Sequence, residues 1–415
     1  FMKKRTKLTL SLLSLASVAL LASCGSSASK KTEIEFFTQK KETLAITKEI
    51  AKDFEKENKD IKVKVVSVPD PGNVLKTRIS SKDTPDIINV FPQNADFQEW
   101  AANNVFEDLT GKDFMSNIKD GVAEQYAIKD KVYSVPLDSN AWGFFYNADA
   151  FKKLGLEAPK TWDEFETLVS DIKSKSKDQA PFALSLTQAD AWSLNGFGQL
   201  AWAEADGGFD GAQNALRFSP KGAIKTSNPD FQAVAKQLDI LKGNGQKGAD
   251  GATYDDAIAA FATGKSLILP QGIWALSAVQ QQKPNFEIRS FAYPGKTEAD
   301  AMSVGAADMA LSISSTSKNK AAAEKFVKYF STAKVFQKYY DVNGEPTAVK
   351  GVQTEGKTPE IEGITRLTFT DKQFVWLQSK WDSEADFHTL TANYARTGNA
   401  DAMAKELNVF FDAMK

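Results

Sequence analysis

Strand-like and helix-like hydrophobic patterns alternate between residues 34 and 91, and this alternation constrains the fold more than any other feature of the chain. Three short runs rich in apolar and β-branched side chains predict strands: residues 34–38, 61–66 and 86–91. Between the first two runs, Ile46, Ile50 and Phe54 recur every fourth residue and predict a helix, and a second helix is predicted at residues 74–79. Because this order is typical of a parallel sheet, we expect an α/β fold.

Predicted strands and helices continue along the rest of the chain without a repeat of fixed length. Further strands are predicted at residues 143–146, 267–269, 286–291 and 309–313. Further helices are predicted at residues 161–172, 257–262, 320–330, and over most of 192–241 with a loop at 206–208. The first of these helices begins at a capping box of Thr161 and Glu164. A hairpin is predicted at residues 126–135, with its turn at 129–131.

Length and composition exclude several classes of protein. A chain of 415 residues exceeds what one hydrophobic core usually supports, so we expect two lobes. The net charge is −2, from 51 basic and 53 acidic side chains, and no basic stripe could follow a phosphate backbone, so no nucleic-acid partner is expected. One cysteine and one histidine exclude a disulfide framework, a Cys/His zinc site and a Cys–His nucleophilic pair. We expect neither a metal nor a cofactor.

The first residues predict export. Four basic side chains precede an apolar run at residues 8–21, which suits a signal peptide and falls short of the roughly 20 residues that span a bilayer. The run ends in the sequence LASC at residues 21–24, which resembles the bacterial lipobox, so we expect a signal peptide at 1–23 and lipidation of Cys24. The small, polar stretch that follows predicts a flexible tether over residues 24–32. An ordinary signal peptide with an incidental cysteine is the alternative.

Motifs that would indicate an enzyme are weak. Residues 196–201 match the dinucleotide-binding pattern GxGxxA but follow no predicted strand. Residues 264–266 resemble the end of a phosphate-binding loop but lack the glycine that must precede it. Asp382, Glu384 and Asp386 supply carboxylates of the kind a glycoside hydrolase uses, although a solvated acidic face is the simpler explanation. A surface glycoside hydrolase stays open as an alternative.

Tryptophan side chains beside short polar residues favour a sugar site. Aromatic faces stack on the C–H patches of sugars, while carboxylate and amide groups bond to sugar hydroxyls. Three such pairs occur: Asn140 with Trp142, Asp190 with Trp192, and Gln271 with Trp274. A core position is the alternative for each of these tryptophans. We assign Trp100 and Trp162 to the core because they lie in predicted amphipathic helices.

Further polar residues belong to the candidate binding set. Lys40 and Lys41 follow the first predicted strand, where parallel sheets place ligands, although solvated lysines are the alternative. The lone His388 is a candidate as well, with a structural role as its alternative. The set is completed by Gln39, Asn94, Asp308, Asp386 and Phe387.

Several longer strings indicate a family. They are VYSVP at 132–136, FYNADAF at 145–151, TWDEF at 161–165, AFATGK at 260–265 with GIWA at 272–275, and KNKAAAEKFV at 318–327. Together they resemble the family 1 extracellular solute-binding proteins of ABC sugar importers, from about residue 33 to the end of the chain. The strings at 39–42, 54–58 and 383–391 are most similar to those of the raffinose and multiple-sugar-binding lipoproteins of streptococci and bifidobacteria.

The resemblance implies a two-lobed, type II periplasmic-binding-protein-like fold with a hinge and a ligand cleft between the lobes. Residues 33–145 would form mainly the N-lobe, 146–310 mainly the C-lobe, and 311–415 would return across the hinge to complete both. The implied ligands are α-1,6-linked galactosides and glucosides, gripped by Asp386, Phe387, His388 and one of the two lysines, with Trp192 and Trp274 as aromatic platforms.

The resemblance also implies a protein that catalyses no reaction. It would be a monomer, anchored by lipid on the extracellular face of a Gram-positive cytoplasmic membrane, delivering oligosaccharides to an ABC permease driven by a separate ATPase. A sucrose or fructooligosaccharide binder of the same type and an adhesive lipoprotein are the alternatives, beside the hydrolase.

Overall fold

The computed structural model describes residues 30–382 and 385–415. The predicted signal peptide, Cys24 and the tether up to residue 29 lie outside the described residues, as do Ser383 and Glu384. Within the described ranges, no helix combines the length and the apolar character needed to cross a membrane.

Strands and helices alternate along the whole described chain. The strands are β1 (Thr32–Phe37), β2 (Ile61–Val66), β3 (Ile87–Val90), β4 (Val135–Pro136), β5 (Trp142–Asn147), β6 (Ala180–Phe182), β7 (Ser266–Gly272), β8 (Ile288–Phe291), β9 (Ser303–Val304), β10 (Ala310–Ile313) and β11 (Gln373–Phe374). The helices are α1 (Leu44–Glu57), α2 (Pro71–Ser80), α3 (Ala95–Ala102), α4 (Ala148–Leu154), α5 (Trp162–Lys175), α6 (Asn195–Asp206), α7 (Phe209–Ala215), α8 (Pro229–Leu238), α9 (Tyr254–Ala262), α10 (Ala275–Gln281), α11 (Lys320–Phe330), α12 (Ala333–Asn343), α13 (Glu362–Thr365), α14 (Ala385–Thr397) and α15 (Ala400–Asp412). Short 3-10 turns include Ala191–Leu194 and Leu377–Lys380.

The first sheet has the strand order β2-β1-β3-β10-β4. Strand β1 runs parallel to β2 and β3, with Phe36 opposite both Val65 and Ile87. Strand β10 lies antiparallel between β3 and β4. The prediction of a parallel α/β sheet from the first three strands is confirmed. Because of these directions, the C-terminal ends of β1, β3 and β4 and the N-terminal end of β10 share one edge.

The second sheet has the order β11-β9-β5-β7-β6, and β8 also pairs with β5. Strand β5 is antiparallel to β7, β8 and β9, with Trp142 opposite Gly272 on β7 and Val304 on β9. The start of β5 and the ends of β7 and β9 therefore lie together. At this edge of the second sheet, the chain passes between the two sheets.

Three segments cross between the two sheets and form the hinge. They are residues 137–141, 305–309 and 344–361. Backbone hydrogen bonds join them: Asn140 N donates to Ala306 O at 2.9 Å, Leu137 N to Met309 O at 2.9 Å, and Ser139 N to Pro346 O at 3.0 Å. Strand β5, which lies wholly in the second sheet, spans the predicted division at 145/146. The structure is thus the two-lobed α/β fold that the sequence predicted.

Capping interactions at the N-termini of two helices follow from the local sequence. At α5, Thr161 Oγ1 accepts a hydrogen bond from Glu164 N at 3.2 Å, as the capping box predicts. The Glu164 carboxylate, however, accepts from Lys160 N at 2.7 Å and not from the Thr161 backbone. The predicted box is therefore half formed. A complete capping box of Thr253 and Asp256 begins α9.

The predicted hairpin at 126–135 is wrong. Its turn exists, since Lys129 and Asp130 have φ of 50° and 63° and Ile128 pairs with Lys131 as an isolated bridge. The flanking chain forms no hairpin, because β4 pairs with β10, far along the sequence. Tyr126 instead accepts a hydrogen bond at its hydroxyl from Ala307 N of the hinge, at 2.8 Å.

Candidate functional site

The edge of the first sheet holds two of the predicted binding residues in one groove. Gln39 follows β1 and is fixed by Asn89, whose backbone oxygen accepts from Gln39 Nε2 at 2.8 Å. Gln39 and Asn94 line a cavity of about 290 Å³ together with Trp100. A neighbouring cavity of about 660 Å³ shares Asn94 and Trp100 and extends to Trp381. The prediction that Trp100 belongs to the core is therefore only partly right, since this half-buried ring lines the groove and also packs on the core.

Lys40 does not present a free ammonium group. Its side chain is buried and forms ion pairs with Asp308 and with Glu42, the latter at 2.7 Å. Burial alone lowers the pKa of Lys40, but the nearby carboxylates, led by Asp308, outweigh it and raise the pKa. Lys40 is therefore charged and already engaged, and the structure joins two predicted binding residues, Lys40 and Asp308, as a pair. Lys41 is exposed.

Trp192 is the most accessible of the predicted aromatic platforms, with 38% of its surface exposed. Its ring lies 5.0 Å from that of Tyr254, with the two planes inclined by 38°. The Asp190 carboxylate accepts a hydrogen bond from Tyr254 N at 3.0 Å and so holds the start of α9 against the turn that carries Trp192. Sequence reasoning missed Tyr254, although an aromatic residue at the first position of a capped helix was a usable signal.

Trp274 lies flat on the backbone of Gly272. A Cβ atom at Gly272 would stand 2.1 Å from the Trp274 ring, so only glycine allows this position. The ring centre is 6.4 Å from that of Trp376, with the two planes inclined by 39°. Trp274 Nε1 is buried without a hydrogen-bond partner among the residues that the structure describes. The ring borders a cavity of about 490 Å³ between the lobes.

Asn140 occupies the hinge beside these rings. Its Oδ1 accepts hydrogen bonds from Ala306 N at 3.0 Å and from Trp376 Nε1 at 3.3 Å. The amide therefore links two crossing segments and orients the Trp376 ring. These contacts give Asn140 a positioning role.

The prediction that Trp142 binds ligand is wrong. Only 1% of its surface is exposed, and its Nε1 donates to Ser193 O at 3.1 Å. The ring fits against Gly196 so closely that a Cβ there would lie 2.3 Å from it. Trp142 is a core residue, since β5 points it at α6. Gln271 is equally inaccessible at 1% exposure, and its Oε1 accepts from Gly272 N, so it too is excluded as a contact.

The segment that opens α14 divides into buried and accessible parts. Phe387 is 1% exposed and packs on Trp381 and Phe411, with ring centres 4.8 and 6.2 Å away. It cannot stack on a sugar, which corrects the prediction. Asp386 is exposed, and His388 is half-buried, with an Nδ1 that has no partner within the described ranges. Burial lowers the pKa of His388, partly offset by Asp386, and this keeps the imidazole neutral at neutral pH.

The structure thus brings the predicted residues into three groups. Gln39 and Asn94 share the first-lobe groove, and Lys40 and Asp308 form a buried pair at the hinge. Trp192 stands on a turn that packs against α14, the helix of Asp386 and His388. Among the residues described, no cluster of three or more His, Cys, Asp or Glu side chains is arranged to hold a metal ion.

A model of the family described as bacterial extracellular solute-binding protein matches residues 38–335. The chain is 49% identical over 412 residues to the multiple sugar-binding protein of Streptococcus mutans, covering 98% of this chain and 97% of that one. It is 25% identical over 309 residues to the diacetylchitobiose binding protein NgcE of Streptomyces coelicolor, covering 71% of this chain and 64% of that one.

Solved structures show the same similarity. The apo form of RafE from Streptococcus pneumoniae superimposes with a TM-score of 0.90 at 50% identity, covering 93% of this chain and 99% of that chain. RafE in complex with raffinose superimposes with a TM-score of 0.85 at 50% identity, covering 93% and 100%. The backbone described here is therefore closer to the apo form than to the complex.

Proposed function

Because this chain belongs to the bacterial extracellular solute-binding protein family, we propose that it captures oligosaccharides for an ABC importer. The observation that carries the proposal is the exposed Trp192 ring, paired with Tyr254 and packed against the helix of Asp386 and His388. Such a group offers one aromatic face together with a carboxylate and an imidazole, the combination that sugars need. The names of the two relatives near 50% identity support a sugar ligand.

We propose that the ligands are α-1,6-linked, of the raffinose or isomalto-oligosaccharide type. Asp386 would accept from adjacent hydroxyls of the terminal hexose, and the neutral His388 would offer one donor and one acceptor. Gln39, Asn94 and Lys41 would contact the sugar from the other lobe. The hinge of three crossing segments allows the lobes to close on the ligand. The protein would perform no reaction.

Delivery and anchoring are part of the same proposal. Cys24 would carry the lipid, and residues 24–32 would tether the lobes at the outer face of a Gram-positive cytoplasmic membrane. At about 0.8 kcal/mol per buried methylene, two or three acyl chains hold a protein of this size. The protein would act as a monomer and pass its sugar to a permease driven by a separate ATPase. Residues 33–145 would form mainly the N-lobe and 146–310 mainly the C-lobe, with the returning segments of 311–415 completing both.

Incubation of the purified chain with raffinose, followed by chromatography of the sugar and a thermal melt, tests this function. The proposal predicts intact raffinose and a raised melting temperature. Smaller sugars among the products would indicate a glycoside hydrolase. An unchanged melting temperature with raffinose and isomaltotriose would indicate an adhesin.

A further inference from the structure

The cavity of about 490 Å³ between the lobes has walls from both of them. Trp274 contributes from the second lobe. Glu42 and Thr43, which follow β1, contribute from the first lobe, as does Asn343 at the end of α12, and Glu345 contributes from the start of the third crossing segment. The volume lies within the range of about 300 to 1,000 Å³ that is usual for ligand pockets. Because both lobes line it, the cavity changes shape when the hinge moves.

Glu345 is held firmly at the edge of this cavity. Gly344, with φ of 70°, ends α12 and turns the chain so that Glu345 enters the crossing segment. The next residue is fixed through its backbone oxygen by Ser139 N. Glu345 is 7% exposed, its carboxyl group lies next to Asp308, and its Oε2 is buried with no hydrogen-bond partner in the described part of the chain.

The charges around Glu345 determine the protonation state of its carboxyl group. Asp308 and Asp138 approach it from the other two crossing segments, Lys40 from the end of β1, and Tyr339 belongs to the same buried cluster from α12. A neighbouring carboxylate disfavours the ionised form of a buried carboxyl group. Burial, followed by the Asp308 charge, raises the pKa of Glu345 well above its usual value, although Lys40 opposes this.

A protonated Glu345 can donate from one oxygen, and its other oxygen can only accept. An unsatisfied buried acceptor is destabilising, so a hydrogen-bond donor is favoured at this oxygen. Lys40 is already paired with Asp308 and Glu42, so a ligand need not bring a charge to this site. A neutral hydroxyl group is the donor that suits the site.

Glu42 lines the same cavity on the side of the first lobe. Its side chain is 63% exposed and is held by its ion pair with Lys40. Lys40 is buried, so only the Glu42 end of this pair is accessible to a ligand.

We propose that Glu345 is a specificity-determining residue, whose free carboxyl oxygen accepts a hydrogen bond from a hydroxyl of the sugar ring that stacks on Trp274 when the lobes close. The proposal rests on the proposed function, since it assumes an oligosaccharide ligand. It adds to that site a neutral acceptor on the hinge itself. Closure of the lobes and recognition of the sugar are then coupled, because Glu345 lies on one of the segments that form the hinge.

Calorimetric titration with raffinose tests the proposal on Glu345→Met, Glu345→Gln and the wild-type chain. Methionine keeps the length of the side chain but removes the acceptor, so affinity falls at least tenfold. Glutamine reproduces a protonated glutamate, since its amide can donate and its oxygen can accept, so this variant binds at least fivefold more tightly than Glu345→Met. Glu355→Met is the matched control, an exposed position on the same crossing segment, and leaves affinity unchanged.

The outcomes separate this proposal from the function on which it rests. Absence of raffinose binding in the wild-type chain overturns the proposed function and this inference with it. Normal binding by Glu345→Met, or binding by Glu345→Gln that is as weak as by Glu345→Met, overturns this inference alone. If the methionine variant does not fold, Glu345→Asp decides, because it retains the carboxyl group and withdraws it by one methylene. Unchanged raffinose affinity in that variant overturns the inference.

Discussion

Replacing Trp192 with alanine weakens sugar binding while leaving the unliganded protein stable. A tryptophan side chain presents up to about 250 Å², and 38% exposure leaves roughly 95 Å² of Trp192 available to a ligand. A sugar that covers half to all of this area gains about 1.2 to 2.4 kcal/mol at about 25 cal/mol per Å². The dissociation constant for raffinose therefore rises by about 8- to 60-fold. Isothermal titration calorimetry measures this change directly.

Trp142→Ala provides the contrast, because the two tryptophans differ only in where the fold places them. Trp142 is 1% exposed and packs on Phe144 and Phe197, so its truncation costs about 3 to 5 kcal/mol of unfolding free energy. Melting of each variant without sugar separates the roles. If Trp192→Ala bound raffinose with unchanged affinity, or melted as early as Trp142→Ala, Trp192 would be a structural residue and the platform argument would fail.

Three further predictions concern packing, titration and anchoring. Gly196→Ala would place a Cβ 2.3 Å from the Trp142 ring, so denaturation should show a loss of about 1 to 3 kcal/mol. Gly251→Ala, which meets nothing within 4 Å, is its control, and equal losses would refute the packing argument. Burial, followed by the Asp230 charge, raises the pKa of Asp206 to about 7, above the ordinary value near 4 of an unfolded chain. Protonation therefore stabilises the fold at low pH, and this contribution is lost as the pH rises through 7. Asp206→Asn should raise the melting temperature more at pH 8.5 than at pH 5, and the opposite order would contradict the assignment. Cys24→Ala should release the chain from the membrane or block its processing, and full membrane retention after cleavage on fractionation would exclude the anchor.

Elements with strong local signals were predictable from the sequence. Strands β1 to β3 and helix α1 could be predicted because short apolar, β-branched runs indicate the strands and apolar residues at a helical spacing indicate the helix. The hairpin at 126–135 failed for the opposite reason. The turn at 129–131 was predicted correctly because its signal is local. Strand β4, however, pairs with β10, which lies more than 170 residues further along the chain. Local sequence cannot report a partner at that distance.

Trp142 and Trp192 show the same limit within the candidate site. Both follow short polar residues, so their local sequences predict the same role. The pairing of β5 with β7, β8 and β9 directs Trp142 into the core, whereas a 3-10 turn leaves Trp192 exposed. Burial is decided by tertiary contacts and not by neighbours in sequence.

The hinge cluster was only partly predictable, because the sequence indicated Lys40 and Asp308 but neither Asp138 nor Glu345. These four residues lie in four separate segments of the chain, and the local sequences of Asp138 and Glu345 are those of ordinary charged residues. Only the meeting of the three crossing segments with the end of β1 buries them together. The family resemblance indicated Lys40, but it carried no signal for Glu345.

Calorimetric titration of the purified chain with raffinose, isomaltotriose, sucrose, a fructooligosaccharide and maltotriose tests the central claim of oligosaccharide capture most directly. We predict saturable binding of raffinose or isomaltotriose at one site, with a dissociation constant on the order of 1 μM. Sucrose, which lacks the α-1,6-linked hexose, should bind at least roughly tenfold more weakly. Equal affinities for sucrose and raffinose would contradict the α-1,6 assignment. Absence of heat with every sugar in the panel would contradict sugar capture itself.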